Sequence, residues 1–178
     1  MADGSNRVRW TALAVGVVVV ALIGLFAFGT DERLDGASRV VGDRVPEVTG
    51  TTLDGDRYDI DNARGQWVVV NFFATWCGPC INEHPELVAF DQWAEDTGRA
   101  ELVAVVFNDP PDVVADFFAT NGGDWPVLDE PSLPLAFQVS QVPETFVVAP
   151  SGLVVQQFRS EITAEALIDV IETTEGDN

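Results

Sequence analysis

The pattern of apolar and polar positions predicts several buried strands. Residues 66–75 (QWVVVNFFAT) and 101–108 (ELVAVVFN) are nearly continuous apolar runs. Runs of this length and composition are typical of strands that are covered on both faces of a sheet. Residues 145–149 and 153–158 are two further strand-like segments, separated by a Pro-Ser-Gly turn. Within 45–60, Gly and Asp punctuate short strand-like pieces and predict a β-hairpin.

Helix-like spacing of apolar residues falls between and after these strands. A helix is predicted to follow Cys80 and to end at Gly98, and a second helix begins at 109–111 (Asp-Pro-Pro). Residues 163–173 form the last predicted helix, with Thr163 as its N-cap. The predicted order is βαβα followed by ββα, which describes an α/β fold with a central sheet and helices on both faces.

An apolar run without a charge, residues 11–29, precedes this segment. At about 1.5 Å per residue, such a helix would span the roughly 30 Å core of a bilayer. Arg7 and Arg9 lie just before the run and acidic residues lie just after it. The positive-inside rule therefore places the N-terminus in the cytoplasm and the remainder outside. The predicted organisation is a cytoplasmic N-terminus at 1–10, a transmembrane anchor at 11–29, a linker at 30–39 and an α/β domain at 40–175.

Two other interpretations of the apolar run stay open. A cleaved signal peptide would use Ala27 and Gly29 as the small residues before its cleavage point, although cleavable apolar regions are usually about 7–15 residues long. A buried core helix would carry an amphipathic stripe, which the run lacks. We therefore expect an uncleaved anchor and a single-pass protein of the plasma membrane.

Acidic residues dominate the charge of the chain. It has 29 Asp and Glu against nine Lys and Arg, and a formal net charge of −20. This balance argues against nucleic acid and against an anionic membrane surface as partners. A solvated acidic surface, a salty habitat and basic client proteins are all compatible with it.

The chain has only two cysteines, Cys77 and Cys80, and they frame Gly78-Pro79. A bridge between them would close a very short loop and would stabilise the fold little. A structural zinc site needs four ligands, but the two cysteines and His84, the only histidine, supply three. Without a metal, His84 is expected to be an exposed helix residue. Redox chemistry is the third use, and it explains the local sequence better than a structural disulfide or a metal site does.

Cys77 is predicted to lie at the N-terminus of the first helix, directly after a strand. Free backbone N–H groups and the helix dipole stabilise a thiolate at that position. Cys80 would lie one turn further in and be less exposed, so Cys77 would exchange with a client and Cys80 would resolve the mixed disulfide. Pro79 suits the first helical turn, and Trp76 would shield one side of the sulfur.

The segment VVVNFFATWCGPC resembles the active-site segment of the thioredoxin superfamily. Pro85 matches the proline that kinks the active-site helix in that family. Val142-Pro143 matches the family's cis-proline, which faces the CxxC pair and offers backbone to an extended client. The resemblance implies a thioredoxin-like fold. The residues that it leads us to expect in contact with a client are Trp76, Gly78, Pro79, Val142 and Pro143.

A finer resemblance comes from the apolar run, the hairpin GDRVPEVTGTTLDGDRYDI and the segment QVPETFVVAPSGLVV. Together they are similar to the TlpA, ResA and CcmG group of membrane-tethered thiol-disulfide proteins, in which the hairpin is an N-terminal extension. The resemblance implies a reductant of client disulfides that faces away from the cytoplasm. It implies apocytochrome c as a client in cytochrome c maturation, and a membrane thiol donor of the CcdA or DsbD type. It implies no metal and no cofactor beyond the Cys77–Cys80 disulfide.

One position differs from ordinary thioredoxins, which have a buried Asp six residues before the first cysteine. Here that residue is Asn71, and an amide cannot accept the proton of the resolving thiol. The resemblance implies that an acidic residue near the site replaces it. Glu144, directly after Pro143, is the first candidate, because a carboxylate beside an apolar wall would have a raised pKa and could carry a proton to or from a thiol. Glu83 is the second candidate.

Three other functions stay open from the sequence. A disulfide-forming oxidase for secreted proteins would use the same residues with the opposite electron flow. A peroxidase of the peroxiredoxin kind would need a Thr/Ser-x-x-Cys setting, whereas residues 74–77 are Ala-Thr-Trp-Cys. A Sco-like copper-binding assembly protein would use CxxxC and a distant histidine, whereas this chain has CxxC with His84 beside it. Many CcmG and ResA proteins carry other residues between the cysteines; the Gly-Pro of this chain is that of cytosolic thioredoxin and favours a reductant.

Overall fold

The computed structural model describes Trp10 and residues 40–176. Internal contacts divide the chain between Ala37 and Ser38, and the fold described below is that of the second unit. Apart from Trp10, the predicted cytoplasmic N-terminus, anchor and linker lie outside the described residues. Within the described part of the chain, no helix is both long and apolar enough to cross a bilayer.

A five-stranded mixed sheet forms the centre of the domain. The strands of the domain are β1 (Thr49–Thr51), β2 (Arg57–Asp59), β3 (Trp67–Phe73), β4 (Ala100–Val106), β5 (Val127–Leu128), β6 (Glu144–Val148) and β7 (Val154–Phe158). The sheet order is β5-β4-β3-β6-β7. Strands β3, β4 and β5 are parallel, whereas β6 and β7 are antiparallel to their neighbours. Strands β1 and β2 form a separate antiparallel hairpin.

Helices connect the strands of residues 40–176. They are α1 (Gly78–Thr97), α2 (Pro111–Asn121), α3 (Ser132–Ala136) and α4 (Ala164–Gly176), with a 3-10 turn at Ile60–Ala63. Helix α1 ends at Gly98, whose left-handed φ of 63° favours glycine. Thr163 caps α4 as predicted, since its Oγ1 accepts a hydrogen bond from the N–H of Ala166.

Two cores lie on opposite faces of the sheet, because successive side chains of a strand point to opposite sides. On one face, Val69 and Phe73 of β3 pack with residues of α1, α2 and α4. On the other face, Val70 and Phe72 pack with residues of the hairpin, the 3-10 turn and α3. Every residue of β3 is buried, as its continuous apolar run predicts. The active-site face of the sheet is therefore the one that α1 covers.

Most elements that the hydrophobic pattern predicts are present. Strands β3, β4, β6 and β7, helices α1, α2 and α4, and the N-terminal hairpin all lie close to their predicted bounds. The pattern does not predict β5 or α3, because a strand of two residues and a helix of five residues carry no periodicity of their own. The face opposite α1 is covered by the hairpin, the 3-10 turn and one short helix.

Candidate active site

Cys77 and Cys80 form a disulfide at the N-terminus of α1. Cys77 is the N-cap of the helix, and its sulfur accepts a hydrogen bond from the backbone N–H of Cys80 at 3.1 Å. Cys77 is 4% exposed, whereas Cys80 is fully buried. Cys77 is therefore the sulfur nearer to solvent. After reduction, the free N–H groups of the first turn would favour its thiolate form.

Hydrogen bonds hold the loop before the disulfide against the loop that precedes α2. The backbone N–H and the Oγ1 of Thr75 both donate to Oδ2 of Asp109, at 2.5 and 2.7 Å. The indole N–H of Trp76 donates to the carbonyl oxygen of Asn108 at 3.1 Å. The Trp76 ring also packs against Phe107, yet the residue stays 59% exposed. These contacts bring the N-termini of α1 and α2 together beside the disulfide.

The peptide bond between Val142 and Pro143 is cis, as the thioredoxin resemblance implies. Pro143 is buried and comes directly before β6, whose first residue, Glu144, pairs with Phe72 of β3. Because Cys77 follows shortly after the end of β3, the cis-proline and the disulfide lie at the same edge of the sheet. The other residues expected to contact a client are all at least partly exposed: Trp76, Gly78, Pro79 and Val142.

A buried carboxylate, that of Glu83, lies on the inner face of α1. The residue is 1% exposed. Its Oε1 accepts a hydrogen bond from Nδ2 of Asn71 at 2.9 Å, and its Oε2 accepts one from the backbone N–H of Ile162 at 3.2 Å. Burial raises the pKa of Glu83 to about 7, and the two hydrogen bonds oppose this shift only in part. Glu83 therefore changes charge near neutral pH.

Glu83 shares the buried face of α1 with Cys80. Residues three apart on a helix are neighbours, with Cβ atoms about 5–6 Å apart, and both of these side chains are buried. Nδ2 of Asn71 also donates to Oγ1 of Thr145 at 2.9 Å, so Asn71 links the Glu83 carboxylate to the sheet. Asn71, which stands where thioredoxins have an aspartate, thus holds the carboxylate of Glu83 from α1.

Glu144 points to the opposite face of the sheet. It pairs with Phe72, whose side chain belongs to the core beneath the hairpin and α3. Its neighbour Thr145 pairs with Asn71 and contacts it on the α1 face. Because adjacent residues of a strand alternate between faces, the Glu144 side chain lies on the face away from α1.

The carboxylate of Glu144 has partners of its own on that face. It accepts a hydrogen bond from Nε2 of Gln157 and lies 3.9 Å from Nε of Arg159. Burial raises the pKa of Glu144, while Gln157, Arg159 and the backbone of Ser140 favour its charged form. Side-chain direction thus puts Glu83, and not Glu144, on the α1 face beside Cys80, while the choice of proton carrier stays a prediction.

His84 is buried, contrary to the expectation of an exposed helix residue, because aromatic rings surround it. It is 3% exposed, and its ring centroid lies 4.9 Å from that of Phe117. Its Nε2–H donates to the carbonyl oxygen of Gly122 at 2.9 Å. Burial lowers the pKa of His84, so the ring is neutral at pH 7. Among residues 40–176, no group of three or more His, Cys, Asp or Glu side chains is arranged to hold a metal ion.

Asp109 is a site residue that the hydrophobic pattern treats only as the start of a helix. It follows β4, which runs parallel to β3. The carboxyl ends of neighbouring parallel strands meet at one edge of a sheet. That topology, once predicted, is the signal that would have placed Asp109 beside the loop after β3.

Comparison with other proteins supports this description. The sequence profile of the Redoxin family matches residues 40–172. The thiol-disulfide oxidoreductase ResA of Bacillus subtilis is 31% identical over 130 residues, which cover 72% of this chain and 72% of ResA. The thiol:disulfide interchange protein HelX of Rhodobacter capsulatus is 29% identical over 154 residues, 84% of this chain and 85% of HelX. The crystal structure of a thioredoxin-family thiol:disulfide interchange protein from Chlorobium tepidum matches with a TM-score of 0.69 at 26% identity, covering 74% of this chain and 95% of that one.

A chain with this sheet, this disulfide and these relatives is a thiol-disulfide oxidoreductase with a thioredoxin-like fold. It belongs to the Redoxin family. Its similarity to ResA and HelX agrees with the TlpA, ResA and CcmG group that the N-terminal hairpin and the VPETF segment indicate.

Proposed function

We propose that this protein is a reductant of client disulfides, in which Cys77 exchanges with the client and Cys80 resolves the mixed disulfide. The position of the two sulfurs carries the assignment of their roles, and Gly78-Pro79 between them, as in cytosolic thioredoxin, favours the reductant. Cys77 caps α1 and is the more exposed sulfur, whereas Cys80 is buried beside a carboxylate that titrates near neutral pH. The residues expected to hold the client surround this pair at one edge of the sheet.

The exchange is a pair of displacements at sulfur. In the reduced protein, the Cys77 thiolate attacks one sulfur of the client disulfide, and the other client sulfur leaves as a thiolate. Cys80 then attacks the Cys77 sulfur, which forms the Cys77–Cys80 disulfide and releases the first client sulfur. The client thiolates take up protons, so a dithiol and a disulfide become a disulfide and a dithiol. Two electrons pass to the client, and the protein ends in the disulfide form that the structure contains.

Glu83 is the group that we assign to the proton of Cys80. Cys80 is fully buried, so solvent does not reach its thiol directly when it must become a nucleophile. The Glu83 carboxylate lies one helical turn away, and a pKa of about 7 lets it take up or release a proton near neutral pH. Asn71 holds the carboxylate in place through its Nδ2–H.

We also propose that residues 11–29 anchor the protein in the plasma membrane, with the N-terminus in the cytoplasm and the thioredoxin-like domain outside. The support is the length of the apolar run and the position of Arg7 and Arg9 before it. A reductant outside the cytoplasm needs electrons from a membrane thiol donor, for which the CcdA or DsbD type is the proposed class. The cysteine pair carries both electrons, so no further cofactor is proposed.

Apocytochrome c is the proposed client, in the course of cytochrome c maturation. The support is the similarity to the CcmG group, together with a formal charge of −20 that would attract a basic client. Reduction of an oxidised CxxCH peptide by the full-length protein tests the client. A rate in 1 M NaCl equal to that at low salt would contradict the electrostatic part.

The reduction potential of the Cys77–Cys80 pair at pH 7 tests the direction of electron flow. A value near the roughly −270 mV of thioredoxin is expected for a reductant. A value near about −120 mV, as in strong periplasmic oxidants, would contradict the proposal and favour a disulfide-forming oxidase. The measurement needs only redox equilibration with glutathione or dithiothreitol buffers and separation of the two forms.

A further inference from the structure

A pocket of about 250 Å³ opens between α1 and α2, close to the disulfide. Its lining is mostly apolar and consists of Ile81, His84, Pro85, Val88, Phe117 and Asn121. Ile81 is 43% exposed and Val88 is 37% exposed. Exposed apolar side chains that line a concave surface mark a site for another molecule.

The pocket lies between one stripe of each helix. In α1 the stripe has helical spacing at Ile81, Pro85 and Val88, and in α2 it has helical spacing at Phe117 and Asn121. We call these five residues the α1–α2 groove. Ile81 directly follows Cys80 in α1, so the groove begins within one helical turn of the disulfide.

His84 keeps the two sides of the groove at a set distance. Its Nε2–H donates to the carbonyl oxygen of Gly122, the residue that ends α2, at 2.9 Å. Its ring packs edge-on against that of Phe117. Because these contacts join α1 to α2 along the floor, the groove exists before any ligand arrives.

The charges around the groove favour a basic ligand. Neither α1 nor α2 contains a Lys or Arg. Asp112 and Asp116 are exposed on α2. A partner with basic residues beside an apolar one would meet an apolar pocket between two helices that carry acidic side chains and no basic ones.

We propose that the α1–α2 groove binds the segment of a client next to its reacting cysteine, by taking one large apolar side chain that has basic neighbours. The inference rests on the proposed function, because it names how the client of the same cysteine pair is held. Pro85 is eight residues after Cys77, or about 12 Å along a helix. An extended client covers that distance in about four residues, so the apolar side chain stands about four residues from the client cysteine.

Peptide disulfides test this spacing of about four residues between the client cysteine and the apolar side chain. Reduced full-length protein is mixed with peptides that carry Leu or Ser four residues from the cysteine, on either side of it, with Arg or Glu as neighbours. Stopped-flow fluorescence gives the second-order rate of exchange, and the small neutral bis(2-hydroxyethyl) disulfide serves as a substrate that cannot reach the groove. The peptide with Leu and Arg should react about tenfold faster than its Ser counterpart, because burial of a Leu side chain contributes about that factor.

Matched variants test whether the α1–α2 groove causes the rate advantage of the Leu peptide. Val88→Arg should remove the advantage of the Leu peptide and leave the rate with bis(2-hydroxyethyl) disulfide unchanged. Leu135→Arg, at an apolar residue of α3 that is 80% exposed, should keep the advantage. Replacing both Asp112 and Asp116 by Asn should lower the preference for Arg over Glu neighbours, and 0.5 M NaCl should remove that preference.

The outcomes separate the two proposals. Wild-type protein that reduces neither the peptides nor the small disulfide would overturn the proposed function. Wild-type protein that reduces both, but with equal rates for Leu and Ser peptides or with no loss in Val88→Arg, would overturn the groove alone. Val88→Arg that turned a wild-type dimer into a monomer would also overturn it, since the groove would then hold a second copy of the chain.

Discussion

At the level of individual residues, burial distinguishes Glu83 from the other carboxylates of a very acidic chain. Glu83 is 1% exposed and contacts Asn71 and Ile162, and its pKa rises to about 7 because water is excluded. Glu144 is also buried, but Gln157 and Arg159 surround it on the other face of the sheet. The same residue type is therefore held beside Cys80 in one position and beside Gln157 and Arg159 in the other.

Replacing Glu83 by Gln should remove a pH dependence of stability. The unfolded carboxyl loses its proton near its ordinary pKa of 4.5, whereas the folded carboxyl keeps it up to about 7. Between these values the folded state binds the extra proton, so the free energy of unfolding falls as pH rises. The shift corresponds to at most about 3 kcal/mol. Urea unfolding of the oxidised wild type between pH 4.5 and 8 should show this fall, and Glu83→Gln should show a smaller one.

Two other carboxylates matter for that measurement, Asp91 as a background contribution and Glu165 as the control position. Burial, together with Glu95 and Asp124, raises the pKa of Asp91 to about 6, which adds a slope of the same sign to every variant. Glu165→Gln, at an exposed residue of α4, is the control and should keep the full wild-type slope. Equal slopes in Glu83→Gln and wild type would show that Glu83 does not titrate in this range.

The same substitution should change the pH profile of the reaction. If Glu83 takes the proton of Cys80, the second displacement in Glu83→Gln loses a general base, an effect that is typically about 10²-fold or more. The wild-type rate of peptide reduction should rise with pH through an inflection near 7, and Glu83→Gln should be slower and lack that inflection. Glu144→Gln should retain it. An inflection lost in Glu144→Gln and kept in Glu83→Gln would restore Glu144 as the proton carrier.

At the level of secondary-structure elements, the start of α1 gives the two cysteines different environments. Cys77 is the N-cap and lies at the surface end, whereas Cys80 lies inside the first turn and is fully buried. The order of reaction follows from this geometry, because a client sulfur reaches the outer residue first. Strand β3 and helix α1 together therefore support the proposed roles of the two cysteines.

Single cysteine variants test that order. Cys80→Ser should accumulate a mixed disulfide between Cys77 and a client peptide, because the resolving thiol is absent. Cys77→Ser should form little of it, because Cys80 is buried. Mass spectrometry of acid-quenched mixtures counts both products. A larger yield of adduct from Cys77→Ser than from Cys80→Ser would reverse the assignment.

At the level of the whole molecule, the thioredoxin-like domain contains all residues of the candidate site. The Redoxin profile begins at residue 40, and internal contacts divide the chain between Ala37 and Ser38. Residues 40–176 enclose a core on each face of the sheet. The N-terminal segment is thus expected to determine where the domain is held, and not how the cysteines react.

Removing residues 1–37 should separate these two roles. The shortened protein should unfold cooperatively and keep the reduction potential of the full-length protein, because its two cores are intact. Full-length protein should sediment with membranes and resist extraction by sodium carbonate, whereas the shortened protein should stay in solution. Full-length protein that is released by carbonate would contradict the transmembrane anchor. A large change in potential would contradict an independent domain.

The local pattern was sufficient for the longer elements and for the cysteine pair. Continuous apolar runs predicted β3 and β4, a glycine ended α1, and Thr163 capped α4, because each of these features depends on residues close together in the chain. Such a pattern could not decide whether Glu83 or Glu144 lies beside Cys80. The answer depends on which face of the sheet each side chain meets, and that follows from the pairing of β3 with β6.

The amino-acid order alone thus determined a thioredoxin-like α/β domain with a redox-active Cys77–Cys80 pair at a helix start. The folded chain alone determined the burial of His84, the hydrogen bond between Thr75 and Asp109, and the position of the Glu83 carboxylate beside Cys80. The physical reason is the range of the forces involved. Periodicity and caps are local, whereas desolvation of a carboxylate depends on segments as distant in sequence as Asn71 and Ile162, which meet only when the sheet and its helices have packed.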